Sequence, residues 1–427
     1  MWGACKRILE RPGYALLIIP LLFLLLRAAY IPVVWPTKPP SQCLSEPFDG
    51  CGFIFDEAHY IPFVRRMMRG EVVNLEHPPL SKYLIILGIM LLGDNPWGWR
   101  LPMVVCSAIT VYLVGLIAYR LAKSIKLAMI GQLLISADVT FFNIGGLAML
   151  DAPALMFMML AFYLYVVKRE LLMGVALGLA LLAKSSMFIA ILIAFPLMAV
   201  AYPLVNHGRI DLAIEALKRQ IKRVILPALL LFLIGLGVWN SAIQAFPTPL
   251  HLMGFMLEYH TSLPYQDPAR VELPLSWIIP PITRPPSPYH VTAADSIRIT
   301  EFWGVSSPLW WSIWLLIPIA YLYVRDNRPV KRPCPELDLL SWFAATFGAF
   351  LVIAHAFMRW VYLFYFLQIS TVMAALIPAI FSRNGHELTL KVLLAAQLLW
   401  MLIFLPSKPI WLAEALKSLG LGYAPWQ

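Results

Sequence analysis

A chain of 427 residues that is 60% hydrophobic and only 13% charged is too apolar for a water-soluble globular protein, where apolar residues make up about half. Its net charge of +10 comes largely from basic residues in short segments between apolar runs, a pattern that points to membrane orientation and to no nucleic-acid partner. The apolar runs are long and recur from end to end, which excludes the alternating short strands of a β-barrel and leaves an all-α polytopic membrane protein, a single domain over 1–427.

The first apolar run, 14–34, follows Lys6, Arg7 and Arg11 and has no small-residue cleavage site. It is expected to be an uncleaved first span with the N-terminus inside. Residues 35–100 then form the first outer loop. Cys43 and Cys51 share it and pair if it faces an oxidising space, or stay reduced if it does not. Leu80–Leu92 is apolar but shorter than the ~20 residues needed to cross, so it is expected to lie in the interface or to re-enter.

With that assignment ten further spans follow at 101–121, 127–145, 152–167, 171–183, 187–205, 224–243, 308–324, 337–355, 361–381 and 392–405. A long proline-rich outer loop occupies 244–307, and the C-terminus is outside. The result is a bundle of about 11 transmembrane helices with interfacial helices in the first outer loop. Inner segments, among them Arg120, Lys123 and Lys126, carry an excess of Lys and Arg over acids, and outer segments do not. Counting Leu80–Leu92 as a span would reverse that bias.

This topology gathers Asp56, Glu57, His77, Lys82, Arg100, Asp151, Lys184, His355 and Arg359 at or near one face. Asp56-Glu57 opens an amphipathic stretch in which Phe55, Ala58, Ile61, Pro62 and Met68 face lipid or protein while Arg65, Arg66 and Arg69 face water. The acids either favour a helix N-terminus or supply a general base for a hydroxyl. His77-Pro78-Pro79 stops a helix; it is a rigid turn, one that also sets His77 and Lys82 near Asp56 if the site is functional. Asp151 is placed to cap the span that starts at 152. Asp138 lies inside the span 127–145, where ionisable groups normally face the bundle interior. Lys184 and Arg359 either snorkel or bind an anionic phosphate. His355 shares a helical face with Arg359 if its helix continues that far.

The segments FDEAHY, EHPPLSK, LLGDNPWGWRLP, NIGGLAMLDAPALMF, GVALGLALLAKSS, SSPLWW and RWVYLFYF occur in this order. Together they resemble the dolichyl-phosphate-mannose–protein O-mannosyltransferases, membrane enzymes of the GT-C glycosyltransferase fold. The resemblance implies that Asp56 is the catalytic base and that Glu57, His59 and His77 bind the acceptor. It makes Lys82, Arg100, Lys184 and Arg359 candidates for the donor's phosphate, with Asp151 and His355 in support. Three departures bear on the donor sugar and the acceptor. Lys184-Ser185-Ser186 lacks the tryptophan common after that lysine, 361–366 lacks a histidine, and the loop 241–307 is shorter than the luminal β-trefoil of eukaryotic members.

The expected chemistry is inverting transfer of a sugar, mannose by resemblance, from a polyprenyl- or dolichyl-phosphate to a Ser/Thr hydroxyl of an exported protein. The leaving group is already a phosphate monoester, so a divalent metal is not required and no cofactor is expected. Homo- or hetero-dimerisation is left open. Two alternatives stand beside it: transfer to a lipid or glycan acceptor, and a transporter or flippase of lipid-linked sugar. Asp138 is the best support for the latter; the absence of repeated halves speaks against it.

Overall fold

A computed structural model of the protein describes residues 12–44, 50–262, 273–280, 290–294 and 298–419. Lys6, Arg7, Arg11 and the C-terminal end lie outside the described residues. The first apolar run forms helix α1, Ile18–Ala29, and closes in a 3-10 turn, Ile31–Val33. Its Leu21, Leu22, Leu25 and Leu26 face outward, while Phe23 and Arg27 turn into the bundle.

The loop that follows holds a disulfide and two helices, and one side chain departs from expectation. Cys43 and Cys51 are joined in a disulfide. Helices α2, Glu57–Met68, and α3, Leu80–Leu92, follow. Arg65 does not face water: it is buried and forked onto Asp94 at 2.9 and 3.1 Å, because Phe53 and Trp99 offer their ring faces to its guanidinium. At 13 residues α3 is ~20 Å long, short of a ~30 Å hydrocarbon core. Gly93, at φ +87°, ends it.

Helix α4, Pro96–Ala122, starts earlier than expected because Asn95 caps it by accepting from Trp97 N and Pro96 suits the first turn. A Cβ on Gly88 would lie 2.1 Å from Gly98 O, so α3 and α4 approach as closely as backbones can.

The expected span 127–145 is two helices, α5 (Ile125–Ser136) and α6 (Val139–Ile144). Asp138 stands at the break and caps α6. Its carboxylate accepts from Phe141 N at 2.8 Å, Ser307 Oγ at 2.8 Å and Trp310 Nε1 at 2.6 Å. It is a buried, fully partnered cap, and the transport alternative loses its main support.

Helices α7, Asp151–Val166, and α8, Glu170–Ala183, form an antiparallel hairpin whose tight turn places Lys168 at φ +62°. On α8, Gly174 and Gly178 face the backbone of the later span: added Cβ atoms would meet Val224 O at 2.6 Å and Ala228 O at 2.8 Å. That is small-residue packing of the kind that holds helices together where lipid removes any hydrophobic gain.

A π turn, Ala190–Ala194, leads into α9, Phe195–His207. Helix α10, Ile210–Gln220, runs through a second π turn, Ile221–Ile225, into α11, Leu226–Ile243. Pro196 and Pro227 follow these turns, and their missing N–H groups account for the local change in hydrogen-bond register.

The proline-rich loop holds α12, Pro249–Thr261, capped by Thr248. Among the described residues there is also a small antiparallel sheet in the order β1 (His290–Ala294), β2 (Arg298–Trp303), β3 (Ser407–Pro409), with His290 opposite Trp303 and Arg298 opposite Pro409. Further helices are α13 (Pro308–Trp311), α14 (Ile313–Asp326), α15 (Pro335–His355), α16 (Leu367–Arg383), α17 (Glu387–Ile403) and α18 (Ile410–Ser418). Helix α15 stops at His355, so the shared face expected for His355 and Arg359 does not form. Helix α16 is central, with Leu367 through Phe381 all buried, and a 3-10 turn, Leu363–Phe366, precedes it.

Six helices among the described residues are long and apolar enough to cross a membrane: Gly13–Val33, Pro96–Ala122, Ser185–His207, Ile210–Ile243, Pro335–His355 and Leu363–Arg383. Helices α3, α5, α7 and α8 are apolar but shorter.

Candidate active site

Asp56 sits just before α2, after Phe55 at φ +54°. A phenylalanine in the left-handed region is strained by ~1 kcal/mol, which such positions hold only where the surroundings impose it. Asn74 (φ +53°) and Met358 (φ +49°), flanking His77 and Arg359, share that conformation. The Asp56 side chain makes no hydrogen bond or ion pair among the described residues. Burial pushes its carboxyl up to about 6, against the pull of His59 and Lys184 and with a further push from Asp151.

Lys184 and Asp151 meet at 2.6 Å, both almost wholly buried. Asp151 is the first residue of α7 and Lys184 follows the last residue of α8, so the hairpin itself closes the pair. Asp151 is therefore an ion-pair partner and not the expected helix cap; Leu150 occupies the cap position. The Lys184 ammonium also lies 4.8 Å from the ring centres of Phe364 and Tyr365. These aromatic faces hold a cation that is largely shielded from water.

Arg359 donates from Nη2 to His260 Nδ1 at 3.0 Å, and His260 Nε2 lies 3.1 Å from Ser185 Oγ. A guanidinium can only donate, so Nδ1 is the acceptor and the proton resides on Nε2, facing Ser185. Burial first, and then the Arg359 charge, lower His260 to about 4, which agrees with a neutral ring. The His77 ring packs 5.1 Å from that of His260 and 5.9 Å from that of Tyr60. Burial and the neighbouring His260 hold His77 well below the usual imidazole range. Asp151 Oδ2, His77 Nδ1 and Arg359 Nε are buried without a hydrogen-bond partner. Three such atoms in one cluster are what a site for a polar ligand leaves behind.

Glu57 and Arg100 are brought to each other instead. Both are fully buried, joined at 2.7 and 2.9 Å. The other contacts of Glu57 come from Ile54 N and Ala148 N. Arg100 spends its remaining donors on the carbonyls of Ile31, Val34 and Gly52. With five N–H groups engaged it has none for a phosphate, and Glu57 has no free edge for an acceptor. The pair ties α1, the first loop, α4 and the segment before α7 into one knot.

Lys82 is also fully buried; it donates to the carbonyls of Asn74 and His77 and lies over the Trp239 ring, so it fastens the turn before α3. His59 is exposed beside Asp56, and His355 is exposed at the end of α15, apart from the cluster. His260 and Ser185 were not singled out from sequence. The available signal was a capped helix, Thr248-Pro249 onward, carrying a histidine near its end.

Residues 76–234 match the family model described as dolichyl-phosphate-mannose-protein mannosyltransferase. The expected resemblance is real. The matched region takes in His77, Lys82, Arg100, Asp151 and Lys184 and begins after Asp56. Over 134 residues the chain is 37% identical to the polyprenol-phosphate-mannose–protein mannosyltransferase of Mycolicibacterium smegmatis, covering 30% of this chain and 26% of that protein. The protein of that name from Mycobacterium tuberculosis is 31% identical over 124 residues, covering 27% and 24%. The aligned part thus spans about a quarter of the curated relatives' length. The crystal structure of ArnT from Cupriavidus metallidurans bound to undecaprenyl phosphate superposes with a TM-score of 0.54 at 16% identity, over 85% of this chain and 60% of that one. The matched region therefore lies within a chain that shares the fold of that structure.

Proposed function

We propose that the protein is an inverting mannosyltransferase that takes its sugar from a polyprenyl-phosphate and places it on a Ser/Thr hydroxyl of an exported protein. The observation that carries this is Asp56: an unpartnered carboxylate with a raised pKa, beside a lysine held against aromatic rings and an arginine with no acid partner among the described residues. The relatives named for polyprenol-phosphate-mannose support the donor, and the undecaprenyl phosphate in the structural neighbour supports a lipid-phosphate leaving group.

In the proposed step the hydroxyl oxygen attacks the anomeric carbon from the face opposite the phosphate. Its proton passes to Asp56, the C1–O bond to phosphate breaks, and the polyprenyl phosphate leaves with the bonding pair. Arg359 is the principal phosphate ligand, with Lys184 supplying charge from beneath the rings. His77 and His59 border the acceptor side. Glu57, Arg100 and Lys82 serve by holding the loop that carries Asp56.

We place the chemistry on the extracytoplasmic face of the cell membrane, N-terminus inside and C-terminus outside, with about eleven crossings of which the shorter apolar helices make some. The test is direct. Purified protein given a polyprenyl-phosphate mannose and a Ser/Thr peptide should yield mannosyl-peptide with inverted anomeric configuration, read by mass spectrometry and NMR. Transfer to lipid alone, with peptide untouched, would overturn the acceptor.

A further inference from the structure

A cavity of about 580 Å³ opens at the turn of the α7–α8 hairpin, within the size range of small-ligand sites. It lies at the other end of the hairpin from Asp151 and Lys184, ~20 Å away along helices of 16 and 14 residues. It is therefore separate from the candidate active site. Tyr165 and Lys168 line it from the hairpin, Arg219 and Gln220 from α10, and Arg332 from the segment before α15.

The charges in this cavity do not cancel. Glu170 is paired with Arg219 at 2.8 Å and Arg223 at 3.3 Å, and Glu215 with Lys218 at 2.8 Å. Lys168 and Arg332 have no acid within ion-pair distance among the described residues. The guanidinium carbon of Arg332 lies over the Tyr165 ring, 4.3 Å from its centre, and its Nε is buried without a hydrogen-bond partner. Asp338, buried beside Tyr165, accepts at Oδ1 from the hydroxyls of Tyr165 and Tyr202, and its Oδ2 has no hydrogen-bond partner. Two cations, one with an unfilled donor, face a cavity whose lining acids, Glu170 and Glu215, are already paired.

Beside the cavity, α10 shows a second face. Ile210, Ile214 and Ile221 are 69%, 47% and 46% exposed, and Leu226, Leu230 and Ile234 continue an apolar surface along α11. In a membrane protein such a surface suits acyl chains, which would then lie next to the cavity's cationic wall.

We propose that this cavity binds the phosphate of an anionic membrane lipid, with Lys168 and Arg332 as its ligands and the acyl chains against α10 and α11. The shared chemistry is a phosphate oxygen; a free soluble phosphate is the other possible source. The proposal does not rest on the transfer reaction, and its readout is lipid retention.

The test is native mass spectrometry of the full-length protein released from micelles containing phosphatidylglycerol or phosphatidylcholine. Wild type should retain one phosphatidylglycerol about tenfold better than phosphatidylcholine, the scale of one charge-assisted contact. Lys168→Glu and Arg332→Gln should each fall to the phosphatidylcholine level, while Lys391→Glu, on exposed α17, should not. Lys168 is exposed in a turn, so its variant is expected to melt like wild type and keeps the test valid if Arg332→Gln does not fold. Equal retention of both lipids by wild type overturns the proposal. Displacement of the lipid by inorganic phosphate, or a melting shift with inorganic phosphate alone, overturns the lipid as source.

Discussion

Asp151 and Lys184 are 33 residues apart, yet their side chains meet at 2.6 Å because α7 and α8 run out and back by nearly the same length. One residue opens the hairpin and the other closes it. The pair is buried, so its charges depend on one another in a way that exposed pairs do not.

Removing one partner should therefore be worse than removing both. Lys184→Ala leaves a buried carboxylate uncompensated and is expected to cost ~3–5 kcal/mol of stability. The double variant Lys184→Met with Asp151→Asn should recover much of that in thermal melting while remaining poor in donor use. If the stability lost in the double variant equals the sum of the losses in its two single variants, the pair carries no coupling.

Asp56→Asn should lower transfer by roughly 10²–10⁴-fold with melting unchanged, since the amide keeps the shape but cannot take the proton. The base is needed as carboxylate. With its pKa raised to about 6, kcat/KM in wild type should fall as pH drops through 6 and level off above it. A profile flat from pH 5 to 8 would remove Asp56 from the proton path.

For Arg359, donor saturation is the informative measurement. Arg359→Ala should raise the donor KM about tenfold or more and leave the acceptor KM alone, and Arg359→Lys should restore only part because the planar fork is lost. His260→Ala should act in the same direction more weakly, through the freedom it gives the guanidinium.

Glu57→Gln is expected to behave as a folding defect. It breaks a fully buried, bidentate pair with Arg100, a change that costs about 3–5 kcal/mol. Poor yield and a lowered melting temperature are the expected result. Normal melting with a raised acceptor KM would return Glu57 to the substrate side.

Orientation can be read by thiol labelling in a Cys5→Ser background, because the free cysteines among the described residues, Cys106 and Cys334, are buried. Cysteines introduced at Asn95 and Ser262 should label from outside, and one at Lys331 from inside. Labelling of Asn95 from the side of Lys331 would mean that Leu80–Leu92 crosses.

Local periodicity made α2, α3, the α7–α8 hairpin and most apolar helices legible, whereas Asp56, Asp151, Lys184, His77 and Arg359 were singled out by their polarity at one face and by the family resemblance. What stayed hidden was pairing at long range. Nothing local distinguishes Arg100, locked onto Glu57, from Arg359, which lacks an acid; both are arginines at the end of an apolar run. Asp138 was misplaced because hydropathy continues across a helix break that the backbone makes for the sake of a cap. His260 went unnoticed because its significance comes from neighbours on α8 and in the segment after α15.

The cap at Asp138 reaches further than its own helix. The carboxylate holds Trp310, whose ring stacks at 4.4 Å on Phe366, and Phe366 ends the turn whose Phe364 and Tyr365 roof Lys184. A mutational screen scored only by lost product would rank Asp138 among the substrate-contacting residues. Its position in such a ranking would measure how rigidly a roof is propped, and inhibitor design guided by that ranking would aim at a place no sugar visits.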